Sequence, residues 1–287
     1  MQNYDLALDA KEMYEESTGK ITEIEGVKAK TVDMDDYTIT YVDVLNENGT
    51  KKIGKPLGRY VTVEMPKFKE YGFAFYKAVS EELSEIIKSF KIPNNPTVLV
   101  LGLGNEKITS DALGPMCIDK LIVARHLYTE FPGYNSELGK VCAIRTGVLG
   151  TTGVETLEIV KGVSQHIKPD LVIAIDSLAS RSVGRLATTI QITDTGIMPG
   201  SGIGNNRKEI SKNTLGTPVI GIGVPFVIDA SIMAEEQGIG SIINLKGLFV
   251  TPKEIDVLVN QMTDIISAGI NLSFHNISLE DIDSYIN

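Results

Sequence analysis

The residues best suited to chemistry in this sequence are two aspartates at the ends of apolar runs. Asp176 directly follows Leu171-Val-Ile-Ala-Ile175, and Asp111 closes the polar stretch Gly104-Asn-Glu-Lys-Ile-Thr-Ser-Asp111 that comes after Val98-Leu-Val-Leu101. In open parallel sheets, groups just past the carboxyl ends of the strands line the ligand cleft. Adjacent strand ends would bring both carboxyls onto one cleft, where such a pair can hydrolyse a peptide bond. One, ionised, takes a proton from water, while the other, kept protonated, donates to the carbonyl oxygen. Close like charges split their apparent pKa values, so the roles divide by proximity. The competing reading is capping, of the helix at Ala112 by Asp111 and of the turn at Ser177 by Asp176.

Around this pair lie further polar residues. Gly196-Ile-Met-Pro-Gly-Ser-Gly-Ile-Gly-Asn-Asn-Arg207 is a glycine-rich polar stretch. Its centre, Gly200, Ser201 and Gly202, can offer backbone N–H groups to an anion or an oxyanion, or can serve as a plain loop. Arg145, Arg181, Arg185, Arg207 and Lys208 follow strand ends or fall in that stretch, and together they can receive an acidic substrate group, with Arg181 and Arg207 leading. Gly102-Leu-Gly104 lacks the third glycine of a dinucleotide fingerprint, since Lys107 stands there, and no Gly-Lys-Ser/Thr follows. Asp194-Thr195-Gly196 copies a tripeptide of pepsin-like proteases, but a single copy inside an alternating α/β chain does not make that fold. Ser201 lacks the elbow pattern of a serine nucleophile. His126, His166 and His275 form no ligand pair and suit surface roles, and Cys117 and Cys142 read as reduced core residues. Neither a metal nor a cofactor is called for.

The elements that must position these residues follow from periodicity. From Thr97 onward short apolar runs alternate with longer amphipathic ones, the pattern of parallel strands joined by helices. Strands are expected at 98–103, 141–146, 171–175, 189–192 and 219–224. Helices are expected at 112–129, 152–166, 231–237 and, opened by a Thr251/Glu254 capping box, 252–268. Ahead of them come an acidic helix at 6–16, two strands at 37–44 and 58–64 joined by a hairpin turn at Asn48-Gly49, and a helix at 69–88. The expectation is a single α/β domain over 1–287, mainly a parallel sheet flanked by helices, with an antiparallel β segment near the amino end. With 287 residues and a net charge of −10, the chain has no whole-molecule attraction for nucleic acid. No apolar run reaches the ~18 residues of a spanning helix, and Met1 to Asp5 has no signal-peptide character, so a cytoplasmic location without membrane partners is expected.

Several stretches resemble the germination protease family of spore-forming Firmicutes. They are Gly58-Arg-Tyr-Val-Thr-Val-Glu-Met-Pro66, Gly102-Leu-Gly-Asn105 with Asp111-Ala-Leu-Gly-Pro115, Gly150 to Glu155 and Ala174-Ile-Asp-Ser-Leu-Ala-Ser-Arg-Ser182. They continue with Thr189 to Lys208, Gly223-Val-Pro225 with Asp229-Ala230, and Val250-Thr-Pro-Lys-Glu-Ile-Asp256, in order along nearly the whole chain. The resemblance implies a homotetrameric endopeptidase that degrades small acid-soluble spore proteins in the spore core, and a fold similar to hydrogenase maturation endopeptidases. It implies an atypical aspartic protease whose catalytic pair matches Asp111 and Asp176. It also implies a zymogen that cuts itself before a segment similar to Leu6-Ala-Leu-Asp-Ala10, at Asp5–Leu6, so that residues 1–5 form a short propeptide. Asp5 would then be held near Arg207 and Arg181. The alternatives are a metal-dependent peptidase of the hydrogenase-processing type and a non-catalytic module that binds an anionic partner or protein.

Overall fold

The computed structural model describes residues 5–18, 24–66, 72–131, 133, 137–201, 207–236, 238, 245 and 247–286. Nine strands make one sheet: β1 (Val27–Asp33), β2 (Thr38–Val44), β3 (Gly58–Glu64), β4 (Thr97–Leu103), β5 (Lys140–Gly147), β6 (Leu171–Ser180), β7 (Thr189–Thr193), β8 (Val219–Asp229) and β9 (Phe249–Val250). Their order is β1-β2-β3-β7-β8-β6-β4-β5, with β9 on β8. The β8-β6-β4-β5 half is parallel, and β7, β3, β2 and β1 extend it by antiparallel pairing. The expected parallel sheet with an antiparallel segment is thus one continuous sheet.

Among the described residues ten α-helices flank it: α1 (Ala7–Thr18), α2 (Glu47–Ile53), α3 (Phe73–Ser89), α4 (Leu113–Asp119), α5 (Arg125–Glu130), α6 (Leu149–Thr152), α7 (Thr156–Ile167), α8 (Lys212–Leu215), α9 (Ala230–Glu236) and α10 (Ile255–Phe274). Strand alternation sorts the core into two layers. Val98, Val100, Ile173, Ile175, Ile190, Ile192, Ile222 and Val224 pack with α3, α4 and α10. Leu99, Leu101, Val172, Ala174 and Val219 face the other way, with Val160 of α7. On this second face, α1 buries Ala7 and Ala10 against Val42, Val44 and Tyr60. Among the described residues no helix is long and apolar enough to cross a membrane.

Three local expectations are corrected, and one strand was not foreseen. Asn48-Gly49 is not a hairpin turn: the Asn46 side chain accepts from Gly49 N and opens α2, which Gly54 closes with φ +69°. The helix expected over 112–129 breaks between α4 and α5, because Ile122 N turns to Asn271 Oδ1 on α10 and Ala124 N to the Val141 carbonyl on β5. The terminal helix starts at Ile255 and reaches Phe274, since Thr251 Oγ1 donates to the Phe226 carbonyl and caps nothing. Strand β1 has no sequence signal because its residues are almost all exposed at the sheet edge.

Candidate active site

Asp176 lies inside β6, which runs five residues farther than its apolar core and ends at Ser180. It shares the face of Val172 and Ala174, is 5% exposed, and its Oδ1 accepts from Ser177 N at 2.9 Å. Burial raises its pKa well above the usual carboxylate range, and the charges of Asp111 and Asp5 push it the same way. Asp111 ends a single 3₁₀ turn, Thr109–Asp111. It does not cap α4, whose first residue follows Ala112 without a side-chain bond. Its Oδ2 accepts from Asn105 N at 2.9 Å, and burial pushes its pKa up to about 6.

Two glycines let these carboxyls converge. Gly104, at φ +105°, turns the chain so tightly that a β-carbon would lie 2.1 Å from the Asp111 carbonyl. Gly114, in the first turn of α4, passes so close to β6 that a β-carbon would sit 2.6 Å from the Ile175 carbonyl. Any side chain at either place would lift the Asp111 turn off the end of β6.

The other wall comes from the antiparallel half. Gln191 of β7 pairs with Gly223 of β8, which pairs with Asp176. The three occupy one row on one face, with only a glycine between the amide and the acid. Into this row comes the amino-terminal arm. Asp5 Oδ2 accepts from Ala179 N at 2.9 Å, and Asp5 Oδ1 from Ser201 Oγ at 2.5 Å. The Asp5 carbonyl accepts from Lys55 Nζ at 2.8 Å and from Gln191 Nε2 at 3.1 Å. Gln191 Oε1 in turn accepts from Ala7 N at 2.6 Å. Asp5, Lys55, Gln191, Ser201 and Gly223 all line a cavity of about 450 Å³. Burial lowers the pKa of the Lys55 ammonium, and the carboxylates of Asp5 and Asp9 oppose that shift.

The arginines are dispersed. Arg181 donates its backbone N–H to Asp9 and its guanidinium to Glu16 of α1. Arg185 holds Asp9 at 2.5 Å, Glu12 at 2.6 Å and Glu64 at 2.8 Å. Arg207 faces Glu155 at 3.8 Å, and Arg145 pairs with Glu106 and Asp119. Gly200 has φ +71°, while Ser201 N donates to the Met198 carbonyl and Ser201 Oγ meets Asp5. Gly202 lies outside the described residues. Asp194 is far from the pair: its Oδ1 accepts from Arg59 N at 2.8 Å, in a groove with Leu171 and Val219, at the opposite ends of β6 and β8. His275 is buried, contrary to a surface role. Its Nδ1 accepts from Gly139 N, its Nε2 meets the Ile122 carbonyl, and burial lowers its pKa to about 4. Cys117 is buried with its thiol pushed up to about 12, and Cys142 is partly buried with its Sγ on the Val98 carbonyl. Among the described residues no group of three or more His, Cys, Asp or Glu could hold a metal ion. Sequence reasoning missed Lys55 and Gln191, because an isolated lysine in a loop and a glutamine in an apolar strand carry no motif.

Residues 7–247 match the germination protease family model. This chain belongs to the germination protease family. The germination protease of Clostridium acetobutylicum is 42% identical, over 99% of this chain and 98% of that one. That of Priestia megaterium is 36% identical over 98% and 96%, and that of Oceanobacillus iheyensis 46% identical over 79% and 64%. Membership makes this chain a hydrolase of peptide bonds with a part in spore germination. A solved [NiFe] hydrogenase maturation protease, HycI from Thermococcus kodakarensis, overlays 63% of this chain and 98% of its own at 18% identity with a TM-score of 0.34. An overlap of that size adds nothing to the assignment.

Proposed function

We propose that this protease is the endopeptidase that opens the degradation of small acid-soluble spore proteins in the spore core, using Asp111 and Asp176 to activate water. The observation that carries the mechanism is the pairing of two raised carboxyls of unequal burial. Asp176 is the more enclosed and feels the Asp111 charge, so of the two it is the one that holds its proton and serves as the acid. Asp111, near 6, is ionised at neutral pH and serves as the base. Water loses a proton to Asp111 as its oxygen bonds the carbonyl carbon. The C–N bond then breaks as Asp176 gives its proton to the departing nitrogen. The proton on Asp111 returns through solvent to restore Asp176.

The same reading extends to self-processing at Asp5–Leu6. It is supported by the seating of Asp5 in the cavity, near enough for its charge to act on Asp176, with Leu6 to Ala10 buried behind it. Ser201, beside Asp5, takes part as a substrate contact, and position in the sequence adds Gly200, Gly202, Arg181 and Arg207, the two arginines exchanging Glu16 and Glu155 for a substrate acid. The substrate class, the spore-core location and a homotetrameric state rest on the family resemblance.

The test is incubation of the purified protein with a small acid-soluble spore protein, with and without excess chelator, followed by mass spectrometry of substrate and enzyme. Cleavage that persists in chelator, together with a new amino terminus at Leu6, is the expected result. Failure to cleave any spore protein removes the substrate assignment, and loss in chelator removes the metal-free mechanism. Sedimentation of the same sample tests the tetramer.

A further inference from the structure

A peptide bond hydrolysed through a tetrahedral intermediate needs donors on the carbonyl oxygen, because negative charge gathers there as water adds. The protonated aspartate can donate its O–H to that oxygen only until it gives the proton to the departing nitrogen, and neither aspartate supplies a fixed positive or N–H group there. In this structure a backbone carbonyl at the site already carries two donors, and it belongs to Asp5.

We infer that Lys55 and Gln191 form the oxyanion-binding pair of this protease, gripping the carbonyl oxygen of the residue on the amino side of the cleaved bond. This rests on the reading above in which Asp5–Leu6 is the bond presented to Asp111 and Asp176. Three observations converge on it. The donors come from different elements, Lys55 from the loop between α2 and β3 and Gln191 from β7, yet meet on one oxygen at 2.8 Å and 3.1 Å. The Gln191 side chain also takes the N–H of Ala7 at 2.6 Å, so one amide brackets the bond through main-chain atoms on both sides of Leu6. Such a grip is indifferent to side-chain identity and would serve any substrate laid in the same path.

The third observation is the row Gln191-Gly223-Asp176. Strands about 4.8 Å apart put the backbones of Gln191 and Asp176 about 10 Å from each other. Their side chains rise from one face on either side of Gly223, over which the Leu178 side chain lies, so a peptide group gripped by Gln191 would rest on Leu178 and face the acid across it. Asp5 is fixed independently through its carboxylate by Ala179 N and Ser201 Oγ, so its main chain is positioned from two directions. Lys55 is half-buried, so water competes only in part for the hydrogen bond its Nζ makes.

The experiment uses the full chain and a peptide spanning Met1 to Glu12 of this sequence. Lys55→Met keeps the aliphatic stem. Gln191→Glu keeps the acceptor for Ala7 N and puts a carboxylate oxygen where the donor to the carbonyl was. Lys55→Arg is the conservative control. Each of the first two variants should lower kcat on the peptide by about 10², the loss typical of one missing oxyanion donor. KM should stay within about threefold, the acid limb of the pH profile should stay at its wild-type position because it belongs to Asp111, and Lys55→Arg should recover part of kcat.

A rise in KM with kcat unchanged would reduce the pair to a clamp for the amino-terminal arm and overturn the inference. So would normal kcat in both variants. If Gln191→Glu does not fold by circular dichroism, Lys55→Met, in a loop, decides alone. Asp111→Asn and Asp176→Asn run alongside on the same peptide. Their retention of activity would bring down the underlying mechanism, whereas their inactivity beside fully active Lys55 and Gln191 variants would bring down the oxyanion pair only.

Discussion

Gln191 and Asp176 stand in one row of the sheet, two strands apart, with Gly223 between them. One strand is antiparallel to β8 and the other parallel to it, so the acid and the amide arrive from the two differently wound halves of the sheet. Gly223→Ala tests whether the glycine between them is needed. A β-carbon there would meet the Leu178 side chain at 2.6 Å and displace it from its place between the amide and the acid. Leu178 can move, so the fold should persist by circular dichroism while kcat/KM falls at least about tenfold, a loss of ~1.4 kcal/mol in transition-state stabilisation.

Asp111→Asn and Asp176→Asn should each abolish cleavage of the same substrate, leaving less than about a tenth of wild-type rate. Both should also melt higher than the wild type at pH 8. An acid whose folded pKa is raised binds more protons folded than unfolded, so stability falls as pH climbs from the unfolded value toward the folded one. For Asp111 that window runs from 3.8 to about 6. The amide avoids this cost, about 1–2 kcal/mol after allowing for partial exposure, and the difference in Tm should vanish below about pH 4. Calorimetry across that range gives the answer, and equal melting at pH 8 would mean the carboxyls are not desolvated.

Catalysis should rise with pH through about 6 as Asp111 ionises, and fall at higher pH once Asp176 loses its proton. A kcat/KM profile on a short peptide measures this. In Asp194→Asn the profile should be unchanged, because Asp194 binds Arg59 N at the opposite ends of β6 and β8. That variant should lose no more than about 1 kcal/mol of stability.

Arg185→Met should release α1. Asp9 is 1% exposed and its pKa is already raised by burial, with the guanidinium as its counter-charge at 2.5 Å. Removing one partner of a buried ion pair costs about 3–5 kcal/mol. Amide exchange over residues 7–18 should accelerate far more than exchange in β6. Uniform acceleration would make Arg185 part of the global core instead of a local tether.

The parallel half of the fold was legible because its strands are buried on both faces and read as unbroken apolar runs. Asp176 stood out for the same reason, as the first acid after such a run, and Asp111 as the aspartate closing the polar loop after another. The edge strand β1, exposed and charged, had no pattern to read. Asn48-Gly49 misled because a hairpin dipeptide fits a helix when a nearby Asn caps it and Gly49 lies against the Gly26 carbonyl. The grouping of arginines around an acidic substrate side chain was an inference from position along the chain. In three dimensions Arg145, Arg181, Arg185 and Arg207 each meet acids of this same molecule. Lys55 and Gln191 could be found only from the path of the main chain between them.

The bonds to the Asp5 carbonyl close very different lengths of chain. Lys55 reaches back 50 positions, and Gln191 186. The closure by Gln191 is far longer than the pairings of the parallel half, such as Val98 with Leu171 and Val172 with Val219, and loop entropy puts it after them, whereas the closure by Lys55 is comparable with them. A newly made chain would therefore hold its two acids together before Gln191 could take its place on the amino-terminal arm. Competence to cut itself would be acquired with the last contacts of the native state, so that an immature or misassembled molecule is spared premature self-digestion.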